Sequence, residues 1–291
     1  MSWRTVVIES SAKLDYEMGY LVVRGAETKK VHIADVHTLI VESTAVSLTA
    51  YLLSELTKHK VKVVFCDEKR NPSSELIPYY GSHDSSIKIR NQVDWTAEVK
   101  TTVWTEIIAE KIRQQAILLN LLEKPQYEML LQYSNELEFG DETNREGHAA
   151  KVYFNALFGK QFTRKDDNSI NAALNYGYSI LLSAFNREIV ANGCITQLGL
   201  SHSNRFNPFN LASDLMEPFR PLVDLIVYNM QPQMFEKEEK HRVLSLLETQ
   251  VISNGRTEYV PNAIKIYVKS VLDVLNNKGE GAIKYYERIV K

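Results

Sequence analysis

The sequence predicts an α+β protein: a β-rich N-terminal domain over residues 1–92, then an all-helical C-terminal domain over residues 93–291. Two observations lead there. Before residue 90 the apolar residues gather in short β-branched runs of strand length, interrupted by one helical stretch. From Trp95 onward they recur at helical spacing, and no strand candidate of comparable strength follows residue 100.

Taken in order, Thr5-Val6-Val7-Ile8 is a first β-branched run, and Tyr20-Leu21-Val22-Val23 follows a turn at Met18-Gly19. Val31-His32-Ile33 and Thr38-Leu39-Ile40-Val41 are two more. Val61 to Cys66, ended by Asp67, is the strongest strand. Between the last two, Leu48, Tyr51, Leu52 and Leu56 repeat at helical spacing and predict a helix over 47–58. Asn71-Pro72-Ser73-Ser74 and Tyr80-Gly81-Ser82-His83 read as turns or loops. The period then changes. Trp95 to Leu122 predicts one long helix with a stripe of Val99, Val103, Ile107, Ile108, Ile112, Ala116 and Leu119. Further helices are predicted near 125–137, 144–158, 168–191, 210–230, 240–250 and 261–276.

Composition narrows the function classes. No window is long and uncharged enough for a membrane span, and the start from Met1-Ser2-Trp3 has no apolar core of a secretory signal. Cys66 and Cys194 are the only cysteines, too few and too far apart for a disulfide framework or a zinc site. A reducing cytoplasm is therefore expected. A net charge of -2 lowers the expectation of nucleic-acid binding without excluding it, because an acidic metal site cancels lysines in the count.

Three segments could carry chemistry. In Thr143-Asn144-Arg145-Glu146-Gly147-His148, Thr143 and Glu146 have the spacing of a helix capping box, so Glu146 reads either as a cap or as a ligand. Gly147 costs about 1 kcal/mol inside a helix and suggests a close approach there. His202, in the polar connection Gly199 to Phe209, reads as a surface histidine or as a metal ligand or base. Asp214, Glu217 and Asp224 stand along one helical stripe, either a solvated acidic face or a cation site. Pro218 and Pro221 interrupt that helix, which argues against a plain exposed face. Together the segments offer carboxylates and one imidazole, a donor set suited to Mg²⁺ or Mn²⁺.

At these residues the chain resembles the CRISPR-associated adaptation integrase family, the first-numbered Cas protein, and is similar to its compact type II members. The likeness runs over essentially the whole length. It is carried by Asn144 to Ala150, Gly199-Leu200-Ser201-His202 and Ala212 to Asp224, with Asn171 to Tyr178 resembling the family's helix between the first two. The resemblance implies an N-terminal β-sandwich that builds a homodimer. It implies Glu146, His202 and Glu217 as catalytic metal ligands, with Asp214 in or near the site. Many members have aspartate where this chain has Glu217. The implied reaction is transesterification, in which the 3′-hydroxyl of a foreign DNA fragment attacks a phosphate at the edge of a CRISPR repeat. The implied partners are double-stranded DNA, a dimer of the small companion adaptation protein in a hetero-hexamer, and the type II accessory and effector proteins. Arg145, Lys151, Arg205 and Arg220 are the near-site candidates for DNA contacts, and Lys160, Arg164 and Lys165 form either a second basic patch or a solvated loop. Two other readings stay open: a stand-alone structure-specific nuclease using the same metal, and a catalytically silent scaffold.

Overall fold

The computed structural model describes residues 4–78 and 82–289, so Met1-Ser2-Trp3 and the Tyr80-Gly81 half of one predicted turn lie outside the described residues. Strands β1 (Arg4–Ile8), β2 (Ala12–Glu17), β3 (Tyr20–Arg24), β4 (Thr28–His32), β5 (Val36–Val41) and β6 (Val46–Leu48) precede helix α1 (Ala50–Lys58). Strands β7 (Lys62–Cys66) and β8 (Pro72–Leu76) follow it. They form two four-stranded sheets, in the orders β1-β5-β7-β8 and β4-β3-β2-β6. In the first sheet β1, β5 and β7 are parallel, and β8 returns antiparallel to β7.

The two sheets share one core. Leu14 and Leu21 from one sheet meet Ile8, Leu39, Val41 and Val63 from the other, and Leu52 and Leu56 of α1 join them. Every residue of β5 is buried. Leu39 and Val41 face this core, while Ile40 faces Tyr176, Ile180, Val243 and Leu247 of the helical region. A parallel strand covered on both faces needs a continuous apolar run, which is why Thr38 to Val41 was legible as a strand.

The helical part begins with α2 (Ser85–Val93) and continues through α3 (Ala97–Leu121), α4 (Tyr127–Asn135), α5 (Arg145–Phe158) and α6 (Ser169–Ala191). It then runs through α7 (Asn210–Leu215), α8 (Arg220–Met230) and α9 (Lys237–Leu244), with α10 (Val260–Asn276) near the end. The Thr96 hydroxyl accepts from the Val99 N–H and starts α3. The predicted stripe of α3 is buried at Val103, Ile107, Ile108, Ile112, Ala116 and Leu119, so this helix forms the spine of the core.

Several elements depart from expectation. The predicted helix over 210–230 is broken, with Glu217–Phe219 tightened into a 3-10 turn between α7 and α8. Pro218 and Pro221 lack the N–H that a continuous helix needs. The C-terminal region is helical but not wholly so: β9 (Gln250–Ser253), β10 (Arg256–Tyr259) and β11 (Tyr286–Arg288) form a small antiparallel sheet. Its hairpin turns on Asn254-Gly255, whose positive φ values of 50° and 73° suit a two-residue hairpin turn. The strands are only three or four residues long and polar-rich, and flanking helices mask them. Pro72-Ser73-Ser74 is not a loop but begins β8, an edge strand, and the first residue of an edge strand is a place that tolerates proline. Val46–Leu48 is a strand, with Thr49 capping α1 behind it, so the predicted helix starts three residues late. Helix α2 was not legible because Gln92 is its only buried residue and no apolar stripe exists. Both cysteines are buried and unpaired.

Candidate active site

Three separate elements converge on α3. The first is the start of α5. Its N-terminus is capped not by Thr143 but by Asp141, whose Oδ1 accepts from the Arg145 N–H at 2.6 Å and whose Oδ2 accepts from the Glu146 N–H at 3.0 Å. Asn144 makes no side-chain cap and sits in the left-handed region at φ 54°. Its side chain folds over Gly147, where a Cβ would meet Asn144 Oδ1 at 2.6 Å. The close approach implied by Gly147 is therefore local. With the backbone capped by Asp141, the Glu146 carboxylate is free to reach inward, and its Oε1 lies 2.5 Å from Lys111 Nζ.

The second element is the 3-10 turn. Glu217 is 3% exposed, with Oε2 2.6 Å from Lys111 Nζ and Oε1 2.9 Å from Arg220 Nη2. Burial pushes its pKa up, but Arg220 and Lys111 outweigh burial and hold the carboxyl below its ordinary range. Lys111 shows the mirror image. Burial opposes its charge, while Glu217 and Glu146 raise its pKa above the ordinary lysine value. Lys111 was missed in the sequence, although the signal existed: a lysine between Ile108 and Ile112, one turn after Ile107 on the apolar stripe.

The third element is the loop from Gly199 to Phe209. Asp214 of α7 is fully buried and gathers it. Its Oδ2 accepts from the Leu200 and Ser201 N–H groups at 2.6 and 3.1 Å, and its Oδ1 accepts from the His202 N–H at 3.2 Å. His202 Nδ1 lies 2.5 Å from the same Oδ1. Gly199 makes this wrap possible, since a Cβ there would sit 2.5 Å from the His202 carbonyl oxygen and 2.7 Å from Asp214 Oδ2. A carboxylate only accepts, so Nδ1 carries the proton and Nε2 keeps its lone pair when the ring is neutral. The hydrogen bond to Asp214 raises the His202 pKa most; burial opposes it, and Glu217 and Glu146 add to the rise. The imidazole therefore feels both glutamates. Trp104 of α3 meets the ring edge-on, with centroids 5.9 Å apart.

The expected single stripe of three carboxylates is corrected by the break in the helix. Asp214 faces the histidine loop, Glu217 faces Lys111, and Asp224 faces Tyr153 and Tyr178. Of the basic candidates, Arg220 is committed to Glu217 and lies over the Tyr178 ring, and Arg145 pairs with Glu136 over Tyr133. Arg164 donates to Asn171 and Asn175 and packs on Phe154 and Tyr178, so it is held in the fold rather than in a basic patch. Lys151, Lys160, Lys165 and Arg205 are exposed.

Among the described residues no three His, Cys, Asp or Glu side chains are already drawn close enough to hold a metal ion. The Lys111 ammonium stands between the two glutamates instead. The donor set nevertheless fits a hard divalent cation: two carboxylates and an imidazole with a free Nε2. Glu217 Oε2 is buried, and the Lys111 ammonium, 2.6 Å away, is its partner.

The family model described as CRISPR associated protein Cas1 matches residues 5–252. The CRISPR-associated endonuclease Cas1 of Neisseria meningitidis serogroup C (strain 8013) is 36% identical over 235 residues, covering 80% of this chain and 77% of the relative. Among solved structures, a casposase bound to integration product superposes with a TM-score of 0.78 at 18% identity, covering 97% of this chain and 92% of that one. A chain of a Cas6-RT-Cas1–Cas2 complex gives 0.71 at 18% identity, covering 94% of this chain and 35% of that one. With a family model spanning most of its length and a relative this similar, the chain belongs to the CRISPR-associated Cas1 family.

Proposed function

We propose that this chain is a CRISPR adaptation integrase. It joins the 3′-hydroxyl of a short foreign DNA fragment to a phosphate at the edge of the first CRISPR repeat, and a second attack on the other strand completes insertion of the new spacer. The observation that carries this reading is that Glu146 and Glu217 share Lys111, while His202, delivered by a third element, feels the charge of both. The endonuclease name of the Neisseria relative and the integration product held by the casposase support it.

Glu146, Glu217 and His202 would hold Mg²⁺ or Mn²⁺, which supplies charge neutralisation at the scissile phosphate and activation of the attacking hydroxyl. The chain's own residues prepare that site. Asp214 orients the imidazole by accepting hydrogen bonds from Nδ1–H and from three backbone N–H groups of its loop. Arg220 fixes one oxygen of Glu217 and leaves the other turned toward Glu146 and Lys111. Glu146 is the more open of the pair, its side chain 30% exposed, so DNA enters from its side. The exposed Lys151 and Arg205 flank that side in sequence and suit backbone phosphates.

DNA and a Cas2-type companion are the partners of this reading, and the Cas1–Cas2 complex among the structural relatives supports the second. We place a homodimer interface in the N-terminal sheets, a hetero-hexamer with the companion dimer, type II accessory and effector proteins around it, and the whole in the cytoplasm. Among the described residues no helix is long and apolar enough to cross a membrane.

The test supplies fragments bearing free 3′-hydroxyls, a repeat-containing plasmid, the companion protein and Mn²⁺. Joined products are expected from the wild type and none from Glu217→Ala or His202→Ala. Cleavage without joining favours a stand-alone nuclease, and joining that survives in His202→Ala rejects the metal site.

A further inference from the structure

The reading above leaves one group without a role. Lys111 lies on the buried stripe of α3, between Ile107, Ile108 and Ile112, none of which is exposed to solvent. Its side chain is buried, and its ammonium lies between Glu146 Oε1 at 2.5 Å and Glu217 Oε2 at 2.6 Å. Arg220 holds the other oxygen of Glu217. The cluster is thus balanced without any bound ion, two carboxylates against two cations. A divalent cation entering a balanced, buried cluster must displace a cation or bring anions with it. Lys111 is the one that stands between the two glutamates, 2.5 and 2.6 Å from their oxygens, whereas Arg220 pairs with Glu217.

We propose that Lys111 is a positioning residue, an internal counter-cation that holds Glu146 and Glu217 together and leaves them as a divalent cation binds. The inference rests on the metal reading above. A displaced ammonium with a buried stem needs a new anion, and a DNA phosphate at the same site supplies it. Metal and DNA binding are then coupled through Lys111: the free protein holds metal weakly, and DNA strengthens it.

Mn²⁺ titrations followed by the paramagnetic resonance of free Mn²⁺ test this on the full chain, with and without a short duplex bearing 3′-hydroxyls. Lys111→Met removes the charge and keeps the packing; Lys111→Gln keeps an N–H donor for the glutamates and serves if the methionine variant does not fold. Without DNA, both variants are expected to bind Mn²⁺ at least about tenfold more tightly than the wild type. DNA should then raise the affinity of the wild type more than that of the variants. A second readout needs no variant: the ¹⁵N resonance of the Lys111 ammonium is expected to shift on saturation with Mg²⁺. Charge-free variants that bind Mn²⁺ no more tightly than a Mn²⁺-binding wild type overturn the role of Lys111 alone, as does an ammonium resonance unchanged by Mg²⁺. Absence of Mn²⁺ binding in every protein, with and without DNA, overturns this inference and the metal reading together.

Discussion

Glu217 and Asp224 are two buried carboxylates on neighbouring stretches of one broken helix, and they have opposite electrostatics. Glu217 lies between Lys111 and Arg220, which outweigh burial and keep it charged. Asp224 is equally buried, but its oxygens accept from the Tyr153 hydroxyl at 2.7 Å and the Tyr178 hydroxyl at 2.5 Å. There burial dominates the hydrogen bonds and the more distant arginines, and the carboxyl is pushed up to about 6. Burial alone therefore does not decide whether a carboxyl is charged. The partner does: full cations keep it ionised, whereas phenols leave burial dominant.

The largest effect that could break this contrast comes from Glu217→Ala. It strands Arg220 and leaves Lys111 with Glu146 alone, and the loss of one partner of a buried pair costs about 3–5 kcal/mol. Urea unfolding of the metal-free protein should show a loss of that size together with loss of joining. A change below about 1 kcal/mol would mean the cations are solvated rather than paired.

Asp224 gives the opposite sign with pH. Its folded pKa of about 6 stands above the ordinary 3.8, so between those values the folded protein keeps a proton that the unfolded chain has lost. Stability then falls as pH rises through that window, by about 3 kcal/mol in all. Asp224→Asn should remove this contribution. Denaturation midpoints at pH 4 and pH 7 should separate wild type from variant, with the variant gaining relative stability at the higher pH. An equal pH response in both proteins refutes the assignment.

A smaller effect sharpens the role of Asp214. Asp214→Asn cannot accept from every group that now shares its oxygens, so His202 loses its fixed tautomer. Mn²⁺ affinity should fall by about 10–100-fold, read by calorimetry, as is usual for groups that orient a metal ligand. The smallest is Tyr178→Phe, which removes one hydrogen bond to Asp224. It should cost about 1–2 kcal/mol in thermal unfolding and leave joining nearly intact.

The contrast also explains what the sequence could reveal. The central strand β5 and the long helix α3 were legible because each buries a continuous apolar pattern. The hairpin at Asn254-Gly255 carried its own turn signal, but its short polar strands lay between strong helices. At the site, the residue types and order of Glu146, His202 and Glu217 were readable, whereas their placement around α3 was not. It depends on a capping aspartate at 141, on Gly199 letting a loop close over Asp214, and on two prolines that turn Asp224 away from Glu217. Lys111 escaped notice because a lysine inside an apolar stripe gives no sign of its partners, which lie 35 or more residues away.

Anomalous scattering at the manganese edge from crystals soaked in Mn²⁺ tests the central claim most directly. The account predicts one strong peak in contact with carboxylate oxygens of both Glu146 and Glu217 and with Nε2 of His202, and the Lys111 ammonium withdrawn from between the glutamates. A peak that excludes His202, or no peak there while Lys111 still bridges the two carboxylates, would contradict it.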